Sequence, residues 1–96
     1  MKDRRITALL EWLELPARGW IVVDHWDADL CAIGLARADA PRRLVYVSVW
    51  RRAVDRFDYE CEVPTGPDPT DYRVIATAED VDLATLVRVL DDHLRT

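Results

Sequence analysis

The sequence contains almost none of the short motifs that declare a chemistry. It has no Walker loop, dinucleotide-binding glycine pattern, CxxC pair or nucleophile elbow, so none of those nucleotide, redox or acyl-transfer signatures is present. No apolar run approaches the ~20 residues that a membrane-spanning helix needs. The opening stretch, MKDRRITALLEWLEL, is charged at once and lacks the apolar core and small-residue cleavage site of a secretory signal. A soluble, cytoplasmic chain with no membrane partner is expected. Cysteine is scarce, with only Cys31 and Cys61. In a reducing compartment these read as small buried hydrophobes and not as a disulfide. Repeats, low-complexity tracts and long linkers are also missing.

What is present fits one small domain over residues 1–96. Half of the residues are apolar and 32% are charged, which suits a globular chain and not a disordered one. A domain of this size has a small core and little room for a deep active site. Recognition by a surface is the cheaper use of it. The net charge of −5 disfavours nucleic acid and anionic membranes, and it favours a basic partner.

Residues 4–15 read as a helix, with Asp3 as N-cap and Ile6, Leu9, Leu10 and Leu13 at helical spacing. Trp12 flanks that stripe. Pro16 is expected to end the helix and Gly19 to turn the chain. Five strands follow: 20–26, 30–36, 44–50, 57–63 and 72–78. The polar turn DAD joins the first two into a hairpin, ADAPRR precedes the third, and RRAVDR precedes the fourth. PTGPDPT, with three prolines and a glycine, breaks regular structure before the fifth. A closing helix over 81–94 carries Leu83, Leu86, Val87, Leu90 and Leu94, with Asp80 as its cap. Short connections favour an antiparallel meander. The expected fold is α+β: a two-layer, five-stranded antiparallel sheet with the N-terminal and C-terminal helices on one face.

The composition of the strands also suggests a register. A six-residue loop at 51–56 places Trp50 near Phe57, Ser48 near Tyr59, Tyr46 near Cys61 and Leu44 near Val63. Trp20, Val22, Trp26, Tyr72 and Val74 can share that face. The opposite face then carries Val45, Val47 and Val49 beside Asp58, Glu60 and Glu62, joined by Ile21, Val23, Ile33 and Leu35. A buried carboxylate without a partner costs several kcal/mol, so the acidic face is expected to be the uncovered one. It becomes an apolar band bordered by acids, the kind of patch that marks an interface.

Two polar clusters stand out as candidate sites. Asp58, Glu60 and Glu62 alternate along one strand, about 6.8 Å apart, which is too far for neighbours to chelate one small ion unaided. They read as a solvated face or as a surface for a basic protein. The second cluster, DHWDAD, places Asp24, Asp27 and Asp29 with His25 and Trp26 at a turn. It lacks the glycine and distal glutamate of a calcium loop, and turn chemistry accounts for its aspartates. No metal or other cofactor is expected. An exposed acidic loop bearing a tryptophan also suits protein recognition. The four tryptophans otherwise enlarge a small core.

The stretches GWIVVDHWDAD, RRLVYVSVW and FDYECEVP, on a short acidic chain, resemble the small immunity proteins of bacterial polymorphic and contact-dependent toxin systems. The resemblance is one of general design over most of the chain. It implies a monomer or homodimer without catalytic residues that binds one cognate toxin domain. Asp58, Glu60, Glu62, Asp24, Trp26, Asp27 and Asp29 are the expected contact residues, and an acidic face can fill a basic nuclease cleft. The chain is also similar to the small acidic chaperones of type III secretion and to YbjN-like proteins, which usually carry a helix between the third and fourth strands. A third reading is a small enzyme using Asp58 or Glu60 with His25.

Overall fold

A computed structural model describes residues 2–24 and 29–95. His25, Trp26, Asp27 and Ala28 lie outside the described residues, so the expectations placed on them carry no structural account. The chain forms α1 (Arg4–Leu13), α2 (Leu15–Arg18), β1 (Trp20–Val23), β2 (Ala32–Arg37), β3 (Ala40–Ser48), β4 (Arg56–Pro64), β5 (Tyr72–Asp82) and α3 (Leu83–His93). The five strands make one antiparallel sheet in the order β1-β2-β3-β4-β5. The expected meander and α+β class are both present.

Asp3 caps α1 by accepting from the Arg5 backbone N–H at 2.8 Å. Pro16, expected to end this helix, instead lies in the first turn of α2. Proline is tolerated there because its missing N–H would have had no helical partner. The break falls at Glu14, which adopts a left-handed conformation. Gly19 is left-handed as well and closes α2, the conformation that glycine reaches without strain. At the other end, the cap of α3 is Asp82, whose side chain accepts from Thr85 N, and not Asp80. Asp80 instead sits left-handed inside a β5 that runs on to the helix itself. The ADAPRR stretch is mostly strand: only Ala38 and Asp39 form the turn.

The register differs from the expected one by a single residue. Ser48 faces Asp58, Val47 faces Tyr59, Tyr46 faces Glu60, Val45 faces Cys61 and Leu44 faces Glu62. The connection is the seven-residue turn 49–55, in which Arg51 and Asp55 are both left-handed. Those two residues absorb the odd position. Because side chains alternate with period two, the slip exchanges the faces. Val45, Val47 and Val49 therefore join Phe57 and Cys61, with Ile33 and Leu35 from β2, against Ile6, Leu9 and Leu13 of α1 and Leu86 and Leu90 of α3. Of the band expected beside the acids, Val45, Val47, Val49, Ile33 and Leu35 are buried in the core instead, whereas Ile21 and Val23 do share the acidic side, in line with Glu62 and Glu60 across the sheet. Burying three branched side chains together outweighs the alternative, which would leave the valines in water.

The loop that ends β4 is tied down in spite of its prolines. The Arg42 guanidinium donates to the carbonyls of Gly66, Asp68 and Asp71 at 2.6, 2.6 and 2.9 Å. Asp68 accepts from both the backbone N–H and the hydroxyl of Thr70. A Cβ at Gly66 would meet the Asp71 carboxylate at 2.6 Å, so the close approach calls for glycine.

His93, in the last turn of α3, is buried against β4. Its Nε2 lies 3.0 Å from the Glu62 carbonyl, and its own carbonyl accepts from Arg43 Nε at 2.9 Å. Burial holds the imidazole pKa below the ordinary value of 6.5. The folded state thus keeps His93 neutral at pH values where the unfolded chain protonates it. The stability this contributes is full above the unfolded pKa and is lost as pH falls through that value toward the depressed folded one. The urea midpoint should fall between pH 7.5 and 5.5, and His93→Gln should remove most of that fall. Equal slopes in parent and variant would contradict this assignment.

Candidate functional site

The acidic triplet lies on the side of the sheet away from α1 and α3, in the company of Leu44, Tyr46 and Ser48. Its three members have different surroundings. Asp58 is held from two directions: Arg52 Nε donates to Oδ1 at 2.8 Å, and the Asp80 backbone N–H donates to the same oxygen at 2.8 Å. Arg52 also reaches Glu79 at 3.6 Å. Glu62 is buried, at 6% exposure. Glu60 is exposed and takes no part in the ion pairs found among the described residues. The triplet is therefore one open carboxylate flanked by one paired and one buried, and not three equivalent groups.

Around Glu60 lies a shallow cavity of about 260 Å³, lined by Tyr46, Ser48, Asp58, Thr77 and Glu79 among others. Tyr46 reports its electrostatics. Burial, followed by the adjacent Asp29 and then by Glu60 and Asp58, pushes its hydroxyl pKa up to about 12. The carboxylate neighbours disfavour a further negative charge there. Tyr46 also donates to Asp29 Oδ2 at 3.2 Å, so one aspartate of the DHWDAD stretch reaches this side of the sheet. Asp24, at the other end of that stretch, instead pairs with Lys2 at 3.2 Å. Trp26 and Asp27 lie outside the described residues.

The sequence alone does not bring Glu79 to this site. The strand expected to end at 78 runs past it, and no local pattern marks the extension. The structure brings Asp58, Glu60, Glu79, Tyr46 and Asp29 to one side of the sheet, and Asp24 is engaged elsewhere. Among the described residues no group of three or more histidines, cysteines and acids is arranged to hold a metal ion. Cys31 and Cys61 are free, and burial pushes the Cys61 thiol pKa up, away from thiolate reactivity. No helix among the described residues is long and apolar enough to cross a membrane.

Of the tryptophans, Trp20 is buried, whereas Trp12 and Trp50 are 55% and 58% exposed. Trp50 sits beneath the Arg51 guanidinium, 4.4 Å from the ring centre. Comparison with protein-family models, curated proteins and solved structures gave no match.

Proposed function

We propose that this chain is a binding protein that applies the acidic side of its sheet to a basic protein surface, as an immunity protein does when it covers a cognate toxin domain. The supporting observation is the convergence of Asp29, Asp58, Glu60 and Glu79 around Tyr46 on the sheet face opposite the helices. A partner bearing arginine or lysine is complementary in charge to those carboxylates, and the attraction speeds encounter. The secretion-chaperone alternative asks for a helix between the third and fourth strands, where this chain has the turn 49–55.

Glu60 is the position to test, because reversing its charge disturbs none of the ion pairs among the described residues. Glu60→Lys should keep the parent's circular dichroism and melting temperature. It should weaken binding to a cognate basic domain by about tenfold, equivalent to about 1.4 kcal/mol, with most of the loss in association rate at low salt. Co-expressed with a candidate toxin domain, the Glu60→Lys/Glu79→Lys double variant should lose protection. Full protection by the double variant would remove this face from the function.

A further inference from the structure

One end of this acidic molecule is basic. Where the α2–β1 junction, the β2–β3 turn and the end of α3 meet, two adjoining cavities of about 530 and 430 Å³ share Arg37, Asp39, Leu94 and Arg95 as walls. Arg18 lines the first cavity and Arg43 the second. Together four arginines stand against two carboxylates, Asp39 and Asp91, in a chain whose net charge is −5.

Two of these arginines are held in place by main chain. Arg18 Nε donates to the Leu13 carbonyl at 2.6 Å, and its guanidinium lies 5.2 Å from the centre of the buried Trp20 ring. Arg43 Nε donates to the His93 carbonyl at 2.9 Å. These bonds satisfy helix ends, but each uses one of five guanidinium N–H donors. Fixing Nε also fixes the plane of the two terminal nitrogens, the half of the fork that grips an oxyanion with parallel bonds. Arg37 is engaged by Asp39 at 2.8 Å, whereas the other two carboxylate contacts at this end are the kind that a stronger anion displaces at little cost. Arg18–Asp91 is long at 3.8 Å, and Arg95–Asp92 is 3.9 Å between side chains about three-quarters exposed.

From this geometry we propose that the crevice binds a phosphate-bearing anion with at least two phosphoryl groups, one at the Arg18 end and one at the Arg43 end, with Arg95 between them. Arg18 lines only the first cavity and Arg43 only the second, so a pair of phosphoryl groups matches the pair of anchored arginines. The site is separate from the acidic face and does not depend on the binding role proposed for that face.

The test is calorimetric titration of the full chain with pyrophosphate, inorganic phosphate and ADP, against sodium chloride at matched ionic strength. Pyrophosphate should bind saturably at one site per chain, at least tenfold more tightly than inorganic phosphate. Arg95→Glu reverses an exposed charge, and Arg43→Lys keeps the charge but lacks the planar fork whose terminal nitrogens grip an oxyanion while Nε holds the carbonyl. Each should weaken pyrophosphate at least tenfold, Arg95→Glu at unchanged melting temperature and Arg43→Lys with only the small loss that weakening one helix-end bond brings. ADP equal to pyrophosphate means that the crevice reads the diphosphate alone; tighter ADP means that it takes a nucleotide. Absence of saturation by pyrophosphate, or equal affinity in parent and both variants, overturns the proposal.

Discussion

Val47→Asp is expected to leave no cooperative unfolding transition at 25 °C. Val47 is fully buried, and it faces Ile33 on one neighbouring strand and Tyr59 on the other. A carboxylate placed there either stays ionised in an apolar layer or takes up a proton, and either outcome costs several kcal/mol. The lost valine contacts and the disturbed packing add to this. A domain of this length has a total stability of about 5–14 kcal/mol, so the substitution removes most of it. Tyr46→Asp, one residue away, points to the other side of the sheet and should remain folded. Far-UV circular dichroism and urea melts of the two variants check the register directly. In the register first expected from composition, Val47 would be at the surface, and a normal melt for Val47→Asp would restore that register.

The second large effect is expected at Leu90. This residue is fully buried in α3, a helix that packs on β3, β4 and β5. Truncation to alanine opens a cavity where helix and sheet meet, at a cost of about 2–5 kcal/mol. At about 4–8 °C per kcal/mol for a domain of this size, the melting temperature should fall by at least about 10 °C. Leu83→Ala, at the half-buried start of the same helix, should cost clearly less. Calorimetry of both variants makes the comparison, and equal losses would mean that α3 is not docked along its length.

The elements themselves were legible because their signals are periodic. Ile6, Leu9 and Leu13 recur at helical spacing, and VYVSV alternates in a way that only a strand can use. The two caps show how far this reading extends. Asp3 stands directly before its helix and was found. Asp82 was missed because strand and helix meet with no loop between them. Register was legible only in part. The turn 49–55 is built with left-handed Arg51 and Asp55, where the usual sequence marker is glycine or asparagine. Nothing in RRAVDR signals that geometry, so composition suggests a loop one residue too short, and the β3 side chains lie on the side opposite to the expected one while those of β4 do not. The acids were nonetheless placed on the side away from the helices, because the cost of burying charge does not depend on turn length. Their individual partners depend on tertiary placement. Arg52 on Asp58, and the Asp80 N–H on the same oxygen, follow from a turn and a bulge that the sequence does not announce.

The irregular path of β5 has a consequence for how these molecules behave when crowded. Its ladder with β4 shifts register between Phe57 and Tyr59 and again between Cys61 and Glu62, leaving only Tyr59–Ala78, Glu60–Thr77 and Cys61–Ala76 as consecutive regular pairs between the shifts. A foreign strand laid along the outer margin would find its hydrogen-bonding groups out of step after about one turn of the pleat. The segment VIATA, apolar and uncharged, would otherwise be an aggregation hazard. The bends make this edge a poor template for fibre growth, and the surplus negative charge acts in the same direction against edge-to-edge association.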